Sequence, residues 1–293
     1  MADCLHCGRT LTPLFEAHDE NRRCPGHFSY ARCENCGLIS NLTPPPDLQP
    51  YYAEEYYAIP SLARFARLAV RENCKMNAVS RFVSGGHLLE VGPAFGVFAM
   101  RAKRDGFAVT CIERDPRCCE FLERQVGVQA IRADDPVALL PQLPAQDVIA
   151  LWHVIEHLEA PLEFVDAAAA NLAPGGILAL GTPNPDSFQF GLMGKAWPHL
   201  DAPRHLHLIP AQVLIDRARG KGLEPRLLDS DDADARSWNR FGWQRLIMNR
   251  ISGKIGTAIG ILAGTALSLA TLPAERRKMR GSAYTLVLQK RNS

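Results

Sequence analysis

Residues 88–96 read Leu88-Leu89-Glu90-Val91-Gly92-Pro93-Ala94-Phe95-Gly96, an apolar strand that runs straight into a turn of small residues. Small residues let the backbone pass close beneath a ligand at the carboxyl edge of a sheet, where open α/β sheets bind their ligands. Working outward, strands and helices alternate. Phe107–Glu113, Val126–Ile131, Asp147–Leu151 and Ile177–Gly181 are predicted strands, with helices over 96–105, 116–125 and 161–172 between them. The last of these helices is expected to stop at Pro174-Gly175-Gly176. Strands separated by helices of this length imply parallel βαβ units and a doubly wound α/β sheet. Residues 211–221 add a helix, 222–229 a sixth strand, and YTLVLQ at 284–289 a seventh. Ahead of the sheet, Leu62, Phe65, Leu68, Met76, Val79 and Val83 recur at three- and four-residue steps, predicting a helix that ends at Gly85-Gly86.

The chain has 293 residues, 47% apolar and 22% charged, enough for one large domain and a small accessory module. Its formal net charge of +2 gives no sign of a nucleic-acid binder. The start, MADCLHCGRT, has no apolar run behind a basic patch, so a cytoplasmic, reducing location is expected. Nine cysteines then suggest metal ligation more than disulfides. Cys4-x2-Cys7-Gly8 is matched by Cys33-x2-Cys36-Gly37. Two residues between cysteines let one tight turn present both thiolates, and the glycine lets the backbone fold back toward the sulfurs. Two such knuckles complete a closed tetrahedral site, so residues 1–43 are predicted to be a zinc ribbon with structural Zn2+ on Cys4, Cys7, Cys33 and Cys36. Cys24 and His27 are the weaker substitute pair, and His6 is a bystander. The ribbon is expected to supply local stability and to say little about the reaction. Residues 44–60, with Pro44-Pro45-Pro46, Pro50 and the Tyr51, Tyr52, Tyr56 and Tyr57 cluster, read as linker and covering segment. Residues 61–293 form the main domain.

The glycine turn separates two ligand classes. A dinucleotide fingerprint, G-x-G-x-x-G, meets Ala94 and Val97 at its second and third glycines. The pattern acid-x-G-x-G-x-G is met by Glu90, Gly92, Ala94 and Gly96, with one departure at Ala94. Here the chain resembles the class I S-adenosylmethionine-dependent methyltransferases, from about Glu90 to Asn184. Glu113 ends strand two where that family grips the ribose hydroxyls. Asp134 follows strand three where the family places an acid near the adenine amine. HVIEHL at 153–158 and PGG at 174–176 match further landmarks in order. The resemblance implies a seven-stranded Rossmann-like methyltransferase sheet and S-adenosyl-L-methionine as cofactor, held by Glu90, Gly92, Ala94, Gly96, Glu113, Asp134 and Trp152. It also implies that the tyrosine cluster covers the cofactor; aromatic packing between ribbon and sheet is the other reading.

Methyl transfer from a sulfonium is an in-line displacement, so the protein chiefly positions two reactants. An oxygen acceptor must also lose a proton, work suited to histidine. His153, directly after strand four, is the first candidate base. His205 and His207 in the Trp197–His207 loop are the others, and Arg204 is a candidate for an anionic group on the acceptor, with an inter-loop salt bridge as its alternative. The expected acceptor is a small molecule or a glycan, including a lipid-linked one. Three other readings remain: an RNA methyltransferase, a non-catalytic cofactor-binding scaffold, and a zinc peptidase of the H-x-x-E-H type at 153–157. An Asn/Asp-Pro-Pro-aromatic loop, expected for base methylation, is replaced by Leu151-Trp152-His153-Val154. The peptidase motif needs a continuous helix, yet here it starts straight off a strand with Pro161 close behind.

Between the sixth and seventh strands lies an insertion, about 236–280, whose residues 255–272 are uncharged. That run meets the length of a membrane span. Because the strands on either side belong to one sheet, a crossing is excluded. Gly256, Gly260 and Gly264 form a stripe open to a close helix contact. Basic flanks and Trp238, Phe241 and Trp243 describe a surface for anionic lipid. Peripheral docking at the inner face of the membrane and packing on protein, including a second subunit, both remain open.

Overall fold

The computed structural model describes residues 2–52, 61, 65, 68, 72–251 and 253–292. Tyr56, Tyr57 and Leu62 lie outside the described residues. The N-terminal sheet has strands β1 (Thr12–Ala17), β2 (Phe28–Arg32) and β3 (Ile39–Asn41). The main sheet has β4 (Gly86–Val91), β5 (Phe107–Glu113), β6 (Gln129–Arg132), β7 (Gln146–Trp152) and β8 (Leu172–Pro183), then β10 (Leu223–Asp229) and β11 (Ala283–Lys290). A short strand, β9 (His207–Leu208), leaves the main domain to complete the first sheet. The seven-stranded order is β10-β11-β8-β7-β4-β5-β6. Strands β4 to β8 run parallel, while β11 inserts antiparallel between β8 and β10.

The apolar pattern explains why the sheet is covered on both sides. Along β4 and β7, Leu89, Val91, Ile149 and Leu151 enter one core, and Leu88, Val148 and Ala150 enter the other. Two buried faces require nearly continuous apolar strands, and these supply them. The helix before β8 ends at Asn171, and β8 starts at Leu172, five residues earlier than the sequence suggested. Pro174-Gly175-Gly176 does not end a helix; it bulges out of the strand, and the register jumps from Gln146–Leu172 to Val148–Ile177.

The N-terminal sheet is not independent of the larger domain. β9 pairs with β3 through Ile39–Leu208 and Ser40–His207. Ala31, Cys33 and Leu38 share a core with Ile209 and Val213. A segment with few aliphatic side chains thus borrows its apolar cover from the larger domain.

The insertion is a helical hairpin, Ala233–Arg250 against Gly253–Glu275. A Cβ at Gly264 would lie 2.5 Å from the Gln244 Cα, and one at Gly260 2.5 Å from the Met248 Cγ. The glycine stripe is therefore used inside the chain, to let these two helices touch. The second helix is long and apolar enough to cross a membrane by length and composition, with 17% of its most apolar window buried. The chain nevertheless returns to β11, paired with β10, on the same sheet.

Candidate active site

The small-residue turn after β4 is held in a left-handed path. Gly92 and Gly96 have φ of 67° and 73°, and Ala94 has φ of 50°. A Cβ at Gly92 would lie 2.6 Å from Val154 Cγ2, so only glycine fits there. Ala94 tolerates its conformation because Glu113 pins it, the Ala94 N–H donating to Glu113 Oε2 at 3.0 Å. Glu113 Oε1 accepts from the N–H groups of Arg114 and Asp115, at 2.8 and 3.0 Å. Burial raises the Glu113 carboxyl above the ordinary range, against the pull of these three donors.

A cavity of about 270 Å³ opens over this turn. Gly92, Ala94, Glu113, Asp134 and Trp152 line it, together with Tyr52. Trp152 Nε1 is buried with no hydrogen-bond partner among the described residues, a donor left for a ligand. Tyr52 reaches across to His157 Nδ1 at 2.9 Å, while Tyr51 donates to Pro25 O at 2.9 Å. Gly96 shapes the turn without lining the cavity. Glu90 does not line it either, contrary to the sequence reading. Its carboxyl lies beneath the turn, fully buried, where burial pushes it up to about 8 despite the neighbouring Lys75. Its Oε2 has no hydrogen-bond partner among the described residues.

A second cavity, about 630 Å³, adjoins the first, and His153 and His157 line both. His153 directly follows β7 in a left-handed conformation, φ 58°, which a β-carbon makes costly and which often marks functional positions. Its backbone N–H donates to Gly181 O at 2.8 Å. Its Nε2 lies 3.0 Å from Asp234 Oδ2, and its ring centroid 4.4 Å from that of Trp238. Trp238 Nε1 also donates to Asp234, at 3.1 Å. Burial opposes the charge on Asp234, but the His153 hydrogen bond and the nearby Lys75 outweigh it and hold the carboxyl well below the usual range. An ionised Asp234 only accepts, so His153 Nε2 carries the proton and Nδ1 presents a lone pair. The sequence gives no signal for Asp234 and Lys75, which lie far from His153 along the chain and match no motif; Trp238, read as an interfacial aromatic, instead packs against His153.

The other histidines part ways. His205 lines the second cavity, buried, with Nδ1 donating to His199 O at 2.8 Å. Burial and the neighbouring His157 depress it to about 3. His207 lines neither cavity; it sits in β9 with Nδ1 3.1 Å from Ser40 Oγ, and burial lowers it to about 4. His205 belongs to the turn before β9, so the two rings do not share a strand face. Arg204 is the salt bridge, with both Nη atoms on Asp19 at 2.8 and 3.0 Å and further bonds to Asp201. The cations of the second cavity are instead Arg22, from the ribbon, and Arg245, from the insertion. Asn21 also lines it, so the N-terminal segment contributes to the wall of this cavity. HVIEH is not helical: only Ile155–His157 form a short 3-10 turn.

A family model described as a methyltransferase domain matches residues 62–228. The chain belongs to this methyltransferase family. The cavity over the β4 turn lies at the carboxyl edge of the parallel strands, where open α/β sheets bind their ligands. Among curated relatives of this methyltransferase is the ubiquinone biosynthesis O-methyltransferase of Bordetella bronchiseptica. It is 31% identical over 154 residues, 49% of this chain and 64% of the relative. The enzyme of the same name from Caulobacter sp. is 28% identical over 140 residues, 41% of this chain and 56% of the relative. The chain spans less than two thirds of the length of these relatives. Among solved structures, a SAM-dependent methyltransferase from Archaeoglobus fulgidus superposes with a TM-score of 0.52 and 16% identity, covering 83% of this chain and 100% of that one. The cyclopropane synthase MmaA2 from Mycobacterium tuberculosis gives 0.52 and 14%, over 77% and 84%. At such identities the likeness shows the fold alone.

In the segments before β1 and between β2 and β3, the Cys4, Cys7, Cys33 and Cys36 sulfurs all lie within 4.8 Å of one another. Cys4–Cys36 and Cys7–Cys33 are each 3.5 Å apart. A tetrahedron of Zn–S bonds near 2.3 Å has edges of about 3.8 Å, so the spacing suits one metal. The two turns are copies of each other. Gly8 N–H donates to Cys4 O at 2.9 Å, Gly37 N–H to Cys33 O at 2.8 Å, and both glycines have positive φ.

Proposed function

We propose that this enzyme transfers a methyl group to an oxygen of a small or lipid-linked acceptor bound in the second cavity, with His153 as the base. The observation that carries this is His153 at the junction of the two cavities, its Nε2 fixed on Asp234. The relatives are O-methyltransferases by name, which supports oxygen as the acceptor atom. In the reaction the acceptor oxygen attacks the sulfonium methyl in line. The O–CH3 bond forms as the S–CH3 bond breaks, leaving a neutral thioether, and the hydroxyl proton passes to His153 Nδ1. The resulting imidazolium lies against the Asp234 carboxylate, which stabilises it. Glu113, Gly92, Ala94, Asp134 and Trp152 bind the cofactor, Gly96 and Glu90 shape the turn, and Tyr52 covers it. His205 forms part of the wall of the acceptor cavity. Arg22 and Arg245 suit an anionic acceptor group such as a phosphate.

The ribbon cysteines bind structural zinc in this reading. The outer face of the Gly253–Glu275 helix, with Ile255, Leu262 and Leu269 exposed by 73, 74 and 67%, supports docking on lipid at the inner face of the membrane. The basic residues at its two ends, Arg250 and Lys254, then Arg276, Arg277 and Lys278, suit anionic headgroups. Its partner helix carries Asp234, Trp238 and Arg245, so docking would set the acceptor cavity beside the bilayer.

Methyl-labelled S-adenosylmethionine, incubated with the enzyme and separate aqueous and lipid extracts of the source organism, tests the reading. A labelled methyl ether or ester is expected, unaffected by nuclease treatment. Label on carbon or nitrogen, or in RNA alone, would overturn oxygen transfer.

A further inference from the structure

We propose a second metal site, distinct from the ribbon, in which Glu156, His157 and His205 hold a divalent transition-metal ion in the wall of the acceptor cavity. One ligand atom from each lies within 4.8 Å of the other two. Glu156 is fully buried. Its Oε2 accepts from Thr182 Oγ1 at 2.9 Å, but Oε1 has no hydrogen-bond partner among the described residues. A buried carboxylate oxygen without a partner costs about 1–3 kcal/mol or more, so this atom calls for a ligand.

The histidines are prepared for the same ligand. His157 Nδ1 lies 2.8 Å from Arg204 O, and His205 Nδ1 lies 2.8 Å from His199 O. A carbonyl only accepts, so both Nδ1 atoms carry protons and both Nε2 atoms carry lone pairs. Backbone carbonyls that fix the far nitrogen of a ring are the usual second partners of metal-binding histidines. His205 Nε2 lies 3.9 Å from Glu156 Oε1. With metal bonds near 2.1 Å a tetrahedral edge is about 3.4 Å, so closing that pair needs a shift of roughly half an ångström.

Two imidazoles and one carboxylate suit zinc, manganese, iron or cobalt better than calcium or magnesium. Three protein ligands leave a position open, as catalytic sites do, and all three residues face the 630 Å³ cavity. Resting on the reading that this cavity takes an oxygen acceptor, the ion would hold that oxygen and make its proton easier to remove. His153 Nδ1 lies 3.8 Å from the same Glu156 Oε1, which sets the proposed base beside the ligand set. The residues differ from those a zinc peptidase would draw from the H-x-x-E-H motif, where His153 would ligate.

Cobalt(II) added to the chelator-treated full-length chain tests the site without acceptor or turnover. Two equivalents should bind. One, on the ribbon, gives thiolate-to-cobalt charge-transfer absorption in the near ultraviolet; the other gives only visible bands of a nitrogen and oxygen site. Glu156→Gln and His205→Gln should each weaken the second by more than about 100-fold, at the upper end of losses seen even for outer-shell changes. The charge-transfer band and the affinity for S-adenosylhomocysteine should stay, which reports the fold. One equivalent in the wild type with thiolate absorption alone, or two equivalents unchanged in both variants, would overturn the proposal. Cobalt bound at this site while label appears on nitrogen or carbon would instead refute oxygen transfer and leave the site standing.

Discussion

Replacing Glu113 with alanine acts on the cofactor at a definite point. The carboxylate has about four lone-pair sites. Three are taken by the Ala94, Arg114 and Asp115 N–H groups, at 3.0, 2.8 and 3.0 Å. Glu113 lines the first cavity, and in the proposed function its remaining lone pair accepts from a ribose hydroxyl. Losing a hydrogen bond to a charged group costs about 1.5–3 kcal/mol, which is roughly 10- to 150-fold in dissociation constant. Some of that loss comes through Ala94, whose left-handed backbone is no longer pinned. Alanine should therefore also lower the melting temperature by a few degrees while leaving the fold intact. Isothermal calorimetry with S-adenosylhomocysteine, beside a circular dichroism melt, separates the two effects. An affinity within twofold of wild type would refute the contact and place the cofactor elsewhere.

Asp234→Asn keeps an acceptor for His153 Nε2–H but removes the charge; turnover should fall about 10-fold or more with cofactor affinity unchanged, and equal turnover would dismiss the pairing. Glu90 titrates at about 8 in the fold because burial disfavours its charge. Its folded value lies above the unfolded one, so its contribution to stability is whole below about pH 4.5 and fades as the pH rises toward 8. Urea denaturation of Glu90→Gln between pH 5 and 8 should show a flatter loss of stability than wild type; parallel curves would contradict this. Replacing Cys4, Cys7, Cys33 or Cys36 should remove one equivalent of zinc, whereas replacing Cys74 or Cys111 should remove none. Acceptor turnover should then suffer more than cofactor binding, because Asn21 and Arg22 of the ribbon line only the acceptor cavity.

The sheet was legible because its signal is local. Apolar runs such as Val148–Leu151, separated by helical spacing, name each of the main strands without knowledge of their neighbours. The turn from Gly92 to Gly96 was legible for the same reason: its small residues answer a backbone demand within a few positions. Boundaries failed where a pairing partner decides them, as at Leu172, which becomes strand by meeting Gln146. The candidate site was half legible. His153 follows from its place at the end of a strand, but Asp234 lies in an insertion whose apolar second helix drew the reading toward lipid. No pattern links residues 81 positions apart; only the return of the hairpin onto the sheet edge brings that carboxylate to the imidazole. His205 and His207 looked equivalent at strand spacing, and the chain separates them by ending a turn between the two. Glu156 gave no signal of being an unsatisfied buried acid, since burial is a property of the packed loops around it.

His153→Ala, assayed for label transfer from S-adenosylmethionine with the extract fraction that the wild type methylates, tests the central claim most directly. The turnover rate should fall by about 10²–10⁴-fold, the usual worth of a general base. The dissociation constant for S-adenosylhomocysteine, measured on the same preparation, should stay within a few-fold of wild type, because the imidazole serves the acceptor. Near-normal turnover with intact cofactor binding would contradict the account and remove His153 from the reaction.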